Sequence, residues 1–187
     1  MAATTHHLSY ADYCAAEDLT DRKHEYWAGQ MTPRPDATPL HAQLASWANW
    51  CLHEATEQAG LTAHIMPSVG RIHIQATMHS LYPTLSVSLE EPETPAYDPH
   101  AIVNPTLIVE VHEQHFDHLR RFHHYRHLPS LQEYLLISQN EYEITTHFRQ
   151  GEDLWEIKTY RDRAAIIPLK SLGCEIRMAD IYRRVEL

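Results

Sequence analysis

The spacing of apolar residues predicts two helices in the first third of the chain. Ser9 and Thr38 each precede an apolar pattern of helical period, and both can accept a hydrogen bond from the first helical turn. The first helix is expected to extend to about Glu17. The second begins with Pro39 at its first helical position and ends at Gly60, and it is the strongest helix prediction in the chain.

Strands are predicted where apolar and polar residues alternate or where β-branched residues cluster. Residues 22–27 and the pair Met31-Thr32 should form a hairpin around the turn 28–30. The other predicted strands are residues 62–66, 71–77, 85–89, 107–111, 131–137, 142–149 and 155–160. Four prolines make residues 90–105 an extended connection, and residues 178–184 are predicted to form a short terminal helix.

The middle of the chain predicts a strand–helix–strand unit. Residues 107–111 are almost continuously apolar, which is typical of a central strand covered on both faces. A helix from Asp117 to His127 and a buried strand from Leu131 to Ile137 follow, so a right-handed crossover between parallel strands is expected. With 187 residues and 43% apolar content, the chain is predicted to be one α/β domain with a mixed sheet, residues 1–187.

Composition narrows the classes of partner and compartment. The formal net charge of −10 opposes nonspecific binding of nucleic acid, and protonation of the 16 histidines would reverse its sign near pH 6. No stretch has the length and apolarity of a secretory signal or a membrane span, so a cytoplasmic protein without membrane contact is expected. Cys14, Cys51 and Cys174 are too widely spaced for a zinc motif and are predicted to fill the core.

Glu110 is the residue most at odds with its surroundings, because it lies inside the apolar strand 107–111. An ionised carboxylate buried without a partner is costly, so Glu110 must contact a cation or a metal, or be protonated. An ion pair with an arginine and a metal site both satisfy this requirement.

Several separate segments, in the same order, resemble the Uma-type restriction endonucleases of the PD-(D/E)XK nuclease superfamily. The segments that carry the resemblance are Tyr10-Ala-Asp-Tyr13, Arg22-Lys-His-Glu25-Tyr-Trp-Ala-Gly29, His41, Tyr82-Pro83, Asn104-Pro-Thr-Leu-Ile-Val-Glu110-Val111, Asp117, Tyr125-Arg-His-Leu-Pro-Ser-Leu-Gln-Glu-Tyr134 and Ala179-Asp-Ile-Tyr182. The resemblance covers almost the whole chain. It implies a restriction-endonuclease-like fold, with a mixed β-sheet flanked by helices.

The resemblance also implies a four-residue active site at Glu25, Thr84, Glu110 and Arg121. The family usually has an aspartate where Thr84 stands and a lysine where Arg121 stands. In an intact site the carboxylates would hold Mg²⁺ or Mn²⁺, which activates water for attack on a phosphodiester. Threonine removes one anionic ligand, and arginine keeps the positive charge but cannot shuttle a proton as lysine might.

Each of these residues also has a purely structural interpretation. Glu25 could be an exposed strand residue paired with a basic residue across the hairpin. Arg121 could form a surface pair with Asp117, four residues earlier on the helix. His41 could cap the long helix or line the cleft.

The histidines suggest another interpretation of the same region. His112 follows Glu110 by two residues on the same strand face, so it could join Glu25 and Glu110 as a metal ligand. Five more histidines crowd the following helix region, most of them expected to be solvated: His115, His118, His123, His124 and His127.

The sequence therefore predicts a restriction-endonuclease-like protein whose catalysis is impaired or absent, descended from metal-dependent DNA phosphodiesterases. One alternative is a weak but genuine Mg²⁺- or Mn²⁺-dependent DNA endonuclease that uses Glu25 and Glu110. A third is a histidine-based metal-binding or pH-responsive protein. Weak DNA binding at most is expected, and the resemblance implies a homodimer, because the superfamily often acts on duplexes as symmetric pairs.

Overall fold

A computed structural model describes residues 7–68, 70–113 and 115–187, except for the side chains of residues 115–117. The four helices in this part of the chain are α1 (Tyr10–Glu17), α2 (Pro39–Gln58), α3 (His115–Tyr125) and α4 (Met178–Ile181). None of them has the length and apolar character needed to cross a bilayer.

The described residues form strands along the whole chain. They are β1 (His24–Trp27), β2 (Gln30–Pro33), β3 (His64–Pro67), β4 (Arg71–Ile74), β5 (His79–Leu81), β6 (Leu85–Ser88), β7 (Ala101–Ile102), β8 (Leu107–His112), β9 (Glu133–Ser138), β10 (Ile144–Arg149), β11 (Trp155–Tyr160), β12 (Ile166–Leu169) and β13 (Cys174–Arg177).

These strands form two main sheets rather than the single mixed sheet that the sequence predicted. The first has the order β2-β1-β5-β4-β7, and the second has the order β11-β10-β9-β8-β6-β3. β12 and β13 form a separate hairpin. The mixed character is confirmed within each sheet, because β8 pairs parallel with β9 and β4 pairs parallel with β7 while the neighbouring pairs are antiparallel.

The helix starts follow the predicted capping chemistry. The Ser9 side chain accepts a hydrogen bond from the Asp12 N–H at 3.1 Å, and the Thr38 side chain accepts one from the His41 N–H at 3.0 Å. Beyond α2, Gly60 has a φ of +68°, which is the left-handed conformation that a glycine takes after a helix. α3 begins and ends two residues earlier than the sequence predicted.

The predicted strand 71–77 is wrong in its second half. A 3₁₀ turn at Gln75–Thr77 follows β4, and Met78 adopts a left-handed φ of +53°. The chain then returns antiparallel as β5, with Ile74 opposite His79. This hairpin escaped prediction because its turn contains no glycine, proline or asparagine.

The central strands of the second sheet, β6, β8 and β9, are buried on both faces. Alternate residues of β8 point to opposite sides: Leu107, Val109 and Val111 join the core under α2 and α4, whereas Ile108 joins the core that contains Tyr125 of α3. Cys14 and Cys51 lie in the core and Cys174 packs against it, as predicted. Glu110 shares the side of Ile108, so its carboxylate faces α3 and the first sheet.

Candidate functional site

The connection between the two sheets determines where the site forms. β5 of the first sheet ends at Leu81, and β6 of the second sheet begins at Leu85. The three residues between them therefore lie between the acidic residues of β1 and β8. The backbone N–H of Tyr82 donates to Glu25 Oε1, and the backbone N–H of Thr84 donates to Glu110 Oε2, each at 3.0 Å.

Glu25 comes from β1 and is buried, with 6% of its surface exposed. Its neighbour across the β1–β2 hairpin is Thr32, so the suggested exposed ion pair across the hairpin is wrong. The hairpin is closed by Ala28 and Gly29, which both have positive φ values, as a two-residue turn with right-handed strand twist requires. This turn holds the register that points Glu25 inward.

Thr84 is bound to the strand that carries Glu110. The Thr84 hydroxyl donates to Glu110 Oε2 at 3.3 Å, in addition to the backbone contact. The same hydroxyl oxygen accepts the Val111 N–H at 3.1 Å and lies 3.4 Å from His41 Nε2. Thr84 therefore fills its position with an uncharged side chain that hydrogen bonds hold in place, and it adds no anionic ligand.

Arg121 extends from α3 and contacts both carboxylates. Its Nε donates to Glu110 Oε1 at 2.8 Å, and its Nη1 donates to Glu25 Oε1 and Oε2 at 2.8 and 2.9 Å. Its Nη2 donates to the Tyr82 carbonyl at 2.9 Å. The planar guanidinium thus lies between the two acids, and only 14% of the Arg121 side chain is exposed.

The charges of this triad favour its ionised form. Burial by itself would raise the pKa of Glu110, but the charge of Arg121, with smaller contributions from His118 and Arg34, lowers it below its ordinary value. Burial opposes the charge on Arg121 as well, yet Glu110 and Glu25 raise its pKa. The ion pairs therefore favour the charged forms of Glu110 and Arg121 in a buried environment that would otherwise neutralise them.

The structure brings together all four residues that the sequence singled out: Glu25, Thr84, Glu110 and Arg121. The ion pair of Glu110 with an arginine, one of the two interpretations left open, is present. The side chain of Asp117 lies outside the described residues, and so does the suggested pair of Asp117 with Arg121. No role in the site was predicted for Tyr125, whose hydroxyl lies 3.3 Å from Arg121 Nη2 and 3.4 Å from Glu110 Oε1.

A cavity of about 330 Å³ opens beside the triad. Arg34, His41, Tyr82, His112 and His118 contribute to its wall together with Glu110 and Arg121. Burial lowers the pKa of His41, and the charge of Arg34 lowers it further against the opposing effect of Glu110. His41 therefore lines the cleft as a neutral imidazole near pH 7. Its backbone N–H donates to the side chain of Thr38, the N-cap residue of α2.

The predicted histidine cluster divides into two groups. His112 and His118 lie beside the cavity with their ring centroids 5.0 Å apart. On another part of α3, the ring of His124 stacks on the ring of His79 in β5, with the ring centroids 3.7 Å apart. The Trp27 ring packs edge-on against both histidines. The side chain of His115 lies outside the described residues. The sequence did not indicate His79, because it lies more than 30 residues before the other histidines of the cluster.

The divalent ion that the resemblance implies does not fit this arrangement. Within residues 7–68, 70–113 and 118–187, no group of three or more His, Cys, Asp or Glu side chains is placed to hold a metal ion. The set Glu25, Glu110 and His112 therefore stays a prediction from sequence. In the structure the guanidinium of Arg121 donates hydrogen bonds to the facing carboxylate oxygens of Glu25 and Glu110.

A mixed sheet with a buried glutamate in its central strand, facing a second glutamate from a neighbouring sheet, defines a restriction-endonuclease-like protein. Residues 9–179 match the model of the family Uma2, described as "Putative restriction endonuclease". The chain belongs to this family.

Two further proteins and one solved structure are similar to this chain. The chain is 32% identical over 158 residues to an uncharacterized protein, sll1609, of Synechocystis sp. (strain ATCC 27184 / PCC 6803 / Kazusa), covering 83% of this chain and 88% of that one. It is 29% identical over 183 residues to slr1290 of the same organism, covering 94% and 92%. A crystal structure of a putative nuclease belonging to DUF820 from Anabaena variabilis ATCC 29413 shares the fold, with a TM-score of 0.70, 16% identity and coverage of 87% and 91%.

Proposed function

We propose that this protein is a restriction-endonuclease-like module that has lost metal-dependent phosphodiester cleavage and acts by binding or assembly. The observation that carries the proposal is the position of Arg121, whose guanidinium donates to Glu25 and Glu110 at 2.8–2.9 Å. A buried arginine bound to two carboxylates supplies the positive charge that a catalytic Mg²⁺ or Mn²⁺ would bring.

The chemistry of the substituted positions supports this proposal. Thr84 offers a neutral hydroxyl that is already engaged with Glu110 and Val111. Arg121 cannot be deprotonated near neutral pH, so it cannot exchange protons with an attacking water. Among the side chains that the structure describes, the cavity beside the triad has no group of three or more His, Cys, Asp or Glu placed to hold a hard divalent cation.

The test is a cleavage assay on supercoiled plasmid and on single-stranded DNA across a series of Mn²⁺ and Mg²⁺ concentrations. We expect no metal-dependent cutting by the wild-type protein above the level of the Glu110→Ala variant, which serves as the control for contaminating nucleases. Cutting that requires metal and disappears in Glu110→Ala would contradict the proposal and establish the weak nuclease instead.

A further inference from the structure

β11 is an open edge of the six-stranded sheet. Its only strand neighbour among the described residues is β10, with Ile157 opposite His147 and Lys158 opposite Thr146. Four consecutive residues of this strand, 156–159, are exposed. Backbone groups on the outer side of such an edge are available to pair with another strand.

The backbone orientation of β11 can be read from its contacts with β10. The Leu154 carbonyl accepts the Gln150 N–H at 2.8 Å, and the Lys158 carbonyl accepts the Thr146 hydroxyl at 3.4 Å. Both carbonyls thus point towards β10. Because orientation alternates along a strand, the N–H and C=O groups of the odd-numbered residues, with Ile157 at the centre, point away from the sheet.

The side chains of β11 complement those of a second, antiparallel copy of the same strand. If Ile157 faces Ile157 of a second copy, then Glu156 faces Lys158 of that copy and Lys158 faces Glu156. Opposite charges directly across an antiparallel pair are stabilising, and a twofold axis generates each such pair twice. The same register places the outward N–H and C=O of Ile157 opposite those of its symmetry mate.

We propose that β11 is the interface of a homodimer, in which two copies of this chain pair antiparallel about a twofold axis at Ile157. The pairing would join the two six-stranded sheets into one continuous sheet. This inference rests on the strand edge and stands independently of the cleavage chemistry.

Exposed apolar side chains collect at this edge. Leu154 is 65% exposed, Ile157 is 61% exposed and Leu119 is 43% exposed. Leu119 and Ile157 line the same cavity, of about 520 Å³, between α3 and the sheet. Burial of these side chains against a second copy would add apolar contact to the hydrogen bonds of the paired strands.

The other edges of the two main sheets, in the described residues, are less suited to pairing. β2 and β3 each have four residues and end in a proline, Pro33 and Pro67, and β7 has only two residues. Proline cannot donate a backbone hydrogen bond, so it makes an edge strand less able to pair with another strand. β11 has six residues and contains neither proline nor glycine.

The experiment is sedimentation equilibrium of the full chain over a range of concentrations, with circular dichroism to verify folding. We expect a monomer–dimer equilibrium for the wild type. Lys158→Glu places like charges opposite each other twice and should raise the dissociation constant about tenfold. Glu156→Lys combined with Lys158→Glu restores opposite charges across the pair and should recover the dimer.

A second comparison tests the axis itself. Ile157→Glu brings two carboxylates together at the twofold axis and should dissociate the dimer. Ile166→Glu is the matched control, because Ile166 is also an exposed strand isoleucine (49%) but lies in β12. A wild-type monomer at every concentration would overturn the proposal. So would a dimer that Lys158→Glu leaves intact, a double variant that fails to recover it, or equal effects of the two isoleucine variants.

Discussion

At the scale of single residues, Arg121 is bound to three parts of the chain at once. It contacts Glu25 of β1, the Tyr82 carbonyl in the connection between the sheets, and Glu110 of β8. A buried ion network of this kind is most sensitive to loss of one partner, because the remaining charges stay buried without compensation. The stability of the site therefore depends more on Arg121 than its near-surface position on α3 suggests.

Arg121→Met should lower the free energy of unfolding by about 3–5 kcal/mol at pH 7, the range found when one partner of a buried ion pair is removed. Chemical denaturation monitored by fluorescence measures this change. The deficit should shrink as the pH falls, because burial raises the pKa of Glu110 once Arg121 is absent and protonation then removes its uncompensated charge.

The matched control is Arg126→Met, in the turn that directly follows α3. Arg126 pairs with Asp153, whose side chain is 82% exposed, and such surface pairs contribute only about 0–1 kcal/mol. Equal losses of stability for the two variants would show that Arg121 acts as an ordinary helix residue.

The sequence could identify the participants of this site but not their contacts. Glu110 stands out because a charged residue interrupts an apolar strand, and the resemblance adds Glu25, Thr84 and Arg121. The contact between Arg121 and Glu25 joins residues 96 positions apart, so no local pattern encodes it. The hydroxyl of Tyr125 is a further example, because its role depends on where α3 docks.

At the scale of elements, α3 is held against the first sheet by a second contact besides Arg121. The rings of His124 and His79 stack, and the guanidinium of Arg120 lies 4.3 Å from the Trp27 ring centroid. Burial lowers the pKa of His124 to about 4, and the neighbouring His79, His123, Arg120 and His127 lower it in the same direction. This helix–sheet contact therefore requires a neutral imidazole.

This requirement makes the stability of the protein depend on pH in a defined direction. Between pH 6.5 and 4 the unfolded chain binds a proton at His124 that the folded chain does not, so the free energy of unfolding falls as the pH falls. His124→Phe should reduce this slope by at most about 1.4 kcal/mol per pH unit, the value for one proton. The measurement is denaturant unfolding at a series of pH values.

His53→Phe is the control for that series, because His53 is exposed on α2 and is not among the groups that shift the pKa of His124. We expect it to leave the slope nearly unchanged. A His124→Phe variant with the wild-type pH dependence would contradict the assignment of the acid sensitivity to the stacked pair.

Most elements could be predicted where the local chemistry is distinctive, and the missed ones lack such signals. Thr38, Pro39 and Gly60 mark both ends of α2 in the sequence. The β12–β13 hairpin was not predicted, since Pro168 lies within β12 and proline argues against a strand. The β4–β5 hairpin was missed because Met78 takes a left-handed conformation that methionine rarely adopts.

At the scale of the whole molecule, the site exists because two sheets meet. One acid comes from each sheet, and the segment from Tyr82 to Thr84 links the sheets directly beside both acids. The sequence predicted a single mixed sheet, and the division into two could not be deduced because the pairing of β1 with β5 depends on contacts between residues about 50 positions apart. The two acids that the family resemblance assigned to one site, Glu25 and Glu110, lie together in the structure on either side of Arg121.

The central claim is that Arg121 occupies the position where a divalent cation would balance Glu25 and Glu110. Titration calorimetry of Mn²⁺ into the wild-type protein, and into the Thr84→Asp/Arg121→Lys double variant, tests it most directly. The double variant regains an anionic ligand and exchanges the guanidinium for a single ammonium that cannot reproduce its fork of hydrogen bonds. We expect saturable Mn²⁺ binding only in the double variant, whereas wild-type binding that Glu110→Ala abolishes would contradict the account.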